Sequence, residues 1–81
     1  MVRYLNYSGN SPIVGYEYGD DFIRVFFKRD SVYLYTATKP GKNHVDSMIS
    51  LAKSGRGLSA YITRNIGKNY YRKERLSLIH I

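Results

Sequence analysis

The stretch IVGYEYGDDFIRVFFKRDSVYLYTAT (residues 13–38) decides the fold. It holds three runs rich in β-branched and aromatic residues, at 13–18, 22–28 and 32–38. GDD (19–21) and RDS (29–31) separate them, and Gly, Asp and Ser favour turns because they tolerate unusual backbone angles or bond their own backbone. Connections this short join neighbouring strands, so the stretch predicts a three-stranded antiparallel meander. Alternation along a strand puts Phe22, Arg24 and Phe26 on one face and Ile23, Val25 and Phe27 on the other. Tyr33 and Tyr35 share a face, with Val32 and Leu34 opposite them; Tyr16 and Tyr18 form a second same-face pair. Either face qualifies as the core on this pattern alone.

Upstream, VRYLNY (2–7) is a candidate edge strand, and Pro12 belongs just outside a strand because it cannot donate to a ladder. Downstream, KPGKN (39–43) breaks the sheet and the period changes. Val45, Met48, Ile49 and Ala52 recur at helical spacing, which predicts a helix over 44–54. Asn43 is its expected N-cap, with Asp46 at the third helical position, and Gly55 its stop. GRG (55–57) reads as a flexible hinge. Ser59 is expected to cap a short second helix reaching about Ile66, with Gly67 ending it. Residues 68–75 are too polar to bury and read as a loop. LSLIHI (76–81) reads as a final strand or an adhesive end. The expected class is α+β: a small antiparallel three- to four-stranded meander sheet with one main helix packed on one face and a short second helix.

Composition narrows the function classes. At 81 residues the chain is one domain, and a domain this small buries only about 60 % of its unfolded surface. Its marginal core and the apolar 74–81 extension favour a homo-oligomer. There is no cysteine, hence no disulfide and no thiolate metal site. No apolar run approaches the ~18 residues of a membrane span, and the N-terminus lacks the apolar core of a signal peptide, so a cytoplasmic location and no membrane partner are expected. His44 and His80 are the only histidines and sit in no catalytic or metal-binding motif. The expectation is a protein that is not an enzyme, with no catalytic residues, no metal and no cofactor.

Charge points to a partner. Residues 1–52 carry six basic and five acidic residues, whereas 53–81 carry seven basic residues and only Glu74. Nearly all of the net charge of +7 therefore lies in the last third, around RNIGKNYYRKER (64–75). One-signed charge interleaved with aromatics suits a polyanion, since cations hold phosphates and rings stack on bases. The bland alternative is a solvated face that keeps the chain soluble. The candidate phosphate ligands are Arg64, Lys68, Arg72, Lys73 and Arg75. The candidate stacking residues are Tyr33, Tyr35, Tyr70 and Tyr71. Tyr33 and Tyr35 have a competing role, burial against the helix stripe of Val45, Met48 and Ile49.

The order of three elements resembles the KTSC domain. Asn10, Gly15 and Tyr16 match its first element; Tyr33 and Tyr35 match its central Tyr-x-Tyr. Arg64, Ile66, Tyr70, Tyr71 and Arg72 match its last, which here reads NYY where the family usually has Tyr-Pro-Tyr. The resemblance spans about residues 8–73. Members occur at the C-terminus of some lysyl-tRNA synthetases and as small bacterial or phage proteins, so the resemblance implies an RNA-associated module. The leading expectation is a non-catalytic binder of phosphate-bearing ligands, most of all RNA or another single-stranded nucleic acid. Two alternatives stay open. One is a small-nucleotide binding or sequestering protein, for example of a cyclic nucleotide messenger, with pockets between subunits. The other is a structural or protein-interaction oligomer.

Overall fold

A computed structural model describes residues 1–7, 9 and 11–75, the last by its backbone alone. The expected meander is present: β2 (Ile13–Tyr18), β3 (Phe22–Phe27) and β4 (Ser31–Thr36) pair antiparallel. Two further strands complete a five-stranded sheet in the order β1-β2-β3-β4-β5. The edge strand β1 (Val2–Arg3) pairs with β2, opposite Gly15 and Tyr16.

β5 (Arg72–Arg75) corrects the reading of 68–75 as a loop. It pairs antiparallel with β4, placing Arg72 opposite Leu34 and Glu74 opposite Val32. Polar composition did not prevent a strand because this edge strand needs only backbone bonds from β4, and one face stays wet. The Tyr71 N–H donates to the Leu34 carbonyl at 2.8 Å and starts the pairing.

One helical layer covers one face of the sheet. α1 (Lys42–Ser54) lays Val45, Met48 and Ala52 onto the sheet, all buried, with Ile49 half-buried beside them. They meet Ile23, Val25 and Tyr35, each at 0 % exposure. α1 starts earlier than the sequence suggests. Gly41 occupies the cap position with no side-chain cap, and Asp46 pairs with Lys42 one turn away at 3.3 Å instead of serving the helix start. The entry is set by the preceding turn, where the Gly41 N–H bonds to the Thr36 carbonyl and its own carbonyl accepts from Val45.

Two glycines turn the chain between helices. Gly55 takes a left-handed φ of 81° and closes α1 on the Leu51 and Ala52 carbonyls. A methyl there would also meet the Leu5 Cβ at 2.9 Å, so the position excludes side chains twice over. This turn is a bonded corner rather than a hinge, since the Gly55 carbonyl accepts from Tyr7 at 2.8 Å.

α2 (Leu58–Tyr61) begins at Leu58, one residue before the expected Ser59 cap. The Tyr4 hydroxyl supplies the missing acceptor, 3.4 Å from the Leu58 nitrogen. α2 runs into a π-helical turn, η1 (Ile62–Ile66), closed by the Gly67 N–H on the Ile62 carbonyl at 2.7 Å. Leu58, Ile62 and Ile66 complete the core.

The other sheet face carries Phe26, Val32 and Leu34, all buried with no helix above them among the described residues. Arg24 helps to cover them. It donates to Glu17 on β2 at 3.0 Å and reaches across β4 to Glu74 on β5 at 2.9 Å. Its aliphatic stem thus lies over apolar surface while its head stays paired. Burial alone would lower its pKa, but the bonds to Glu17 and Glu74 outweigh it and raise the value, keeping the guanidinium charged.

Met48→Asp places a carboxylate at a fully buried, partnerless position and is expected to abolish cooperative thermal unfolding. Gly55→Ala should cost more than ~1 kcal/mol in urea denaturation, because left-handed strain and the Leu5 contact add.

Candidate nucleic-acid interface

The stretch 64–75 is divided among three structural settings. Arg64 lies exposed on η1, and Lys68 is exposed just beyond it. Arg72 and Lys73 are successive residues of β5 and so point to opposite faces. Arg72 belongs to the helix-free face, where its Nε lies 3.4 Å from Glu74. Lys73 lies on the helical side, opposite Tyr33, with its Nζ 5.6 Å from that ring. Arg75 pairs with Ser31 through its backbone. The expected group of five cations therefore does not form one cluster: Arg64, Lys68 and Lys73 share the helical side, and Arg72 leaves it.

The tyrosines divide in the same way. Tyr35 is fully buried, which removes it from any stacking platform; its ring sits in the core and meets Tyr70 edge-on. Tyr33 is half-buried between Phe27, at 5.3 Å between centroids, and Tyr70, at 4.7 Å. Tyr70 thus holds the segment entering β5 onto the sheet, which is a structural task. Tyr71 is 52 % exposed and carries the Arg72 guanidinium 5.9 Å from its ring.

A second aromatic and cationic group surrounds the C-terminal end of α1. Lys53 Nζ lies 4.6 Å from the ring of Tyr18, which stacks on Tyr16. Arg56 lies 5.7 Å from the ring of Tyr7, a side chain that is 62 % exposed. Reading by sequence neighbourhood missed these pairs, because Tyr7 and Arg56 meet only when the 55–57 corner closes on the N-terminal segment. The available signal was weak: Lys53 and Arg56 fall three apart at a helix end.

The acids are unevenly placed: Glu17 and Glu74 lie on the helix-free face, Asp46 on α1, and Asp20, Asp21 and Asp30 in exposed turns. From Ser47 to Lys73 the chain has Lys53, Arg56, Arg64, Lys68, Arg72 and Lys73 and no acidic residue. Glu17 and Glu74 are engaged on the helix-free face by Arg24, Arg72 and the N-terminal ammonium group. Asp46 is engaged by Lys42 at the start of α1. Among the described residues, Lys53, Arg56, Arg64, Lys68 and Lys73 form no ion pair, so their charge is presented to solvent.

His44 Nδ1 lies 2.8 Å from the Tyr61 hydroxyl, a contact that ties α1 to α2. No group of His, Asp and Glu able to hold a metal occurs among the described residues, and none of the described helices is long and apolar enough to cross a membrane.

The residues that carried the KTSC resemblance are mostly structural. Tyr16, Tyr35 and Ile66 are core, Tyr70 holds the segment entering β5, and Gly15 lies where a side chain would collide with Met1. Asn10 and the 76–81 run lie outside the described residues. Compared with known proteins, the chain matches no family model, no curated protein and no solved structure.

Tyr35 and Tyr4 offer contrasting hydroxyls. The Tyr35 hydroxyl is buried with no hydrogen-bond partner among the described residues, and burial, helped by Tyr33 and Tyr70, pushes its pKa far above the ordinary value. The folded state thus keeps this proton when the unfolded chain would release it, so stability from this group is full below about pH 10.0 and declines above it. Tyr35→Phe is expected to be neutral or stabilising in urea denaturation at pH 7 and to soften the alkaline decline. Tyr4→Phe should cost ~0.5–1.5 kcal/mol, because it leaves the Leu58 N–H unmatched.

Proposed function

We propose that the protein is a non-catalytic binding module for single-stranded nucleic acid, RNA above all, and that it binds through the helical side of its sheet. The observation that carries this reading is a run of unpaired cations beside exposed aromatic rings. Five cations, Lys53, Arg56, Arg64, Lys68 and Lys73, form no ion pair among the described residues and belong to a stretch, 47–73, that holds no acidic residue. A surface of one sign attracts a phosphate backbone by releasing its counterions, whatever the base sequence.

The aromatics supply the second half of the recognition. Tyr7 and Tyr18 are exposed, and each stands beside a cation. A base stacked on such a ring places its phosphate within reach of the neighbouring Arg or Lys, which is how sequence-tolerant single-strand binders combine the two forces. Stacking is thereby assigned to Tyr7 and Tyr18 rather than to Tyr35, which is core, or Tyr33, whose ring packs between Phe27 and Tyr70.

Fluorescence anisotropy with a labelled single-stranded RNA at several salt concentrations tests the proposal. Arg64→Ala and Lys68→Ala should each weaken binding and reduce the slope of log affinity against log salt by about 0.7. Tyr7→Ala should cost ~1–3 kcal/mol with the slope unchanged. Arg72→Ala, on the far face, should leave affinity and slope as they were. Absence of binding at low salt, or losses at Arg72 that match those at Arg64, would overturn this surface as the interface.

A further inference from the structure

We infer that the pocket between the N-terminal strand and the β3–β4 turn is a binding site for a small phosphomonoester. This site shares no residue with the cationic helical side, although its Leu5 wall meets Gly55 next to the Tyr7–Arg56 pair. It is a cavity of about 290 Å³, at the lower end of the range for small-molecule sites. Tyr4 and Ile13, both buried, form its floor. Leu5 and Val14, both exposed, are its apolar walls, and Arg3 and Lys28 bring two cations to the rim.

Two features hold the pocket in shape. The first is a bulge in β2 between Ile13 and Gly15, which leaves Val14 unpaired with β3 and turns its carbonyl to accept from the Tyr4 N–H at 3.0 Å. Bulges of this kind re-aim side chains and open a strand edge. The second is Asn6, held at a left-handed φ of 56°. Its side chain clasps Ser11 twice, accepting from the Ser11 N–H at 3.2 Å and donating to the Ser11 carbonyl at 3.3 Å. The clasp pins the rim from which Asn6 faces the cavity. The Lys28 N–H completes the frame by donating to the Pro12 carbonyl at 3.0 Å.

The chemistry of the lining selects the ligand class. Arg3 and Lys28 face the space without any acidic residue in the lining, and neither forms an ion pair among the described residues. An anion is therefore the complementary charge, and the planar Arg fork suits a phosphoryl group. The cavity exceeds what a phosphate alone fills, and its Leu5 and Val14 walls are apolar. A phosphoryl group at the rim with an organic body against these walls uses both features. Such a group arises on a free mononucleotide or at the 5′ end of a strand.

Amide NMR titration of the full chain with AMP, adenosine and short RNA tests the inference. AMP should shift the Arg3, Asn6, Val14 and Lys28 amides saturably at millimolar concentration, while adenosine should not. Arg3→Ala and Lys28→Ala, at exposed positions, should each weaken AMP by about tenfold, the usual scale for a lost charge-assisted bond, with Arg64→Ala as wild type. A 5′-phosphorylated trinucleotide that shifts these amides when its 5′-hydroxyl counterpart does not identifies strand ends as a source. A response to AMP alone identifies free nucleotides. Equal response to adenosine, shifts confined to the helical side, or no shift at all would overturn the site. Failure of this site leaves the helical-side reading standing, because the two sites share no residue, and shifts confined to the helical side would support that reading.

Discussion

One sheet face must be covered by one short helical layer, and every other feature accommodates that requirement. Ile23, Val25 and Tyr35 present the surface, and Val45, Met48, Leu58 and Ile62 close it. Each fully buried aliphatic side chain contributes ~1.5–3 kcal/mol, and a chain this short has few of them to set against its conformational entropy. Little of this layer can be surrendered to a ligand. That is why Tyr35 is core although its spacing with Tyr33 suits a stacking platform, and why its hydroxyl is tolerated without a partner.

The opposite face is closed by different means. Among the described residues no helix covers Phe26, Val32 and Leu34, and Arg24 spans from Glu17 to Glu74 above them. Each of these partly exposed ion pairs contributes little by itself. Strand alternation puts Glu17 and Glu74 on this face, and Arg24 ties β2, β3 and β5 together across it.

The three central strands, the order of the meander and the body and end of α1 were legible because they rest on local periodicity. Alternation over 13–36 and the 45, 48, 49, 52 stripe are properties of neighbouring residues, and turn chemistry at 19–21 marks the first connection. Helix starts were less legible. Asn43 and Ser59 are good caps by residue type, yet the chain enters α1 through the turn closed on Thr36 and enters α2 under the Tyr4 hydroxyl. Both partners are supplied by distant or non-helical segments, which no local rule weighs.

The sequence by itself determined the α+β class, the pairing order of the central strands, the apolar stripe of the main helix and the concentration of positive charge in the last third. These follow from side-chain type and period alone. Only the tertiary structure decided which sheet face is buried, because both faces carry apolar residues at equal spacing. It also decided that 72–75 is a strand, because an edge strand is stabilised by the backbone of β4 rather than by its own side chains. That strand then separates Arg72 from Lys73, while the 55–57 corner brings Arg56 to Tyr7 across the chain. Which charges act together is a matter of which face each one occupies, and a face exists only once the sheet has formed.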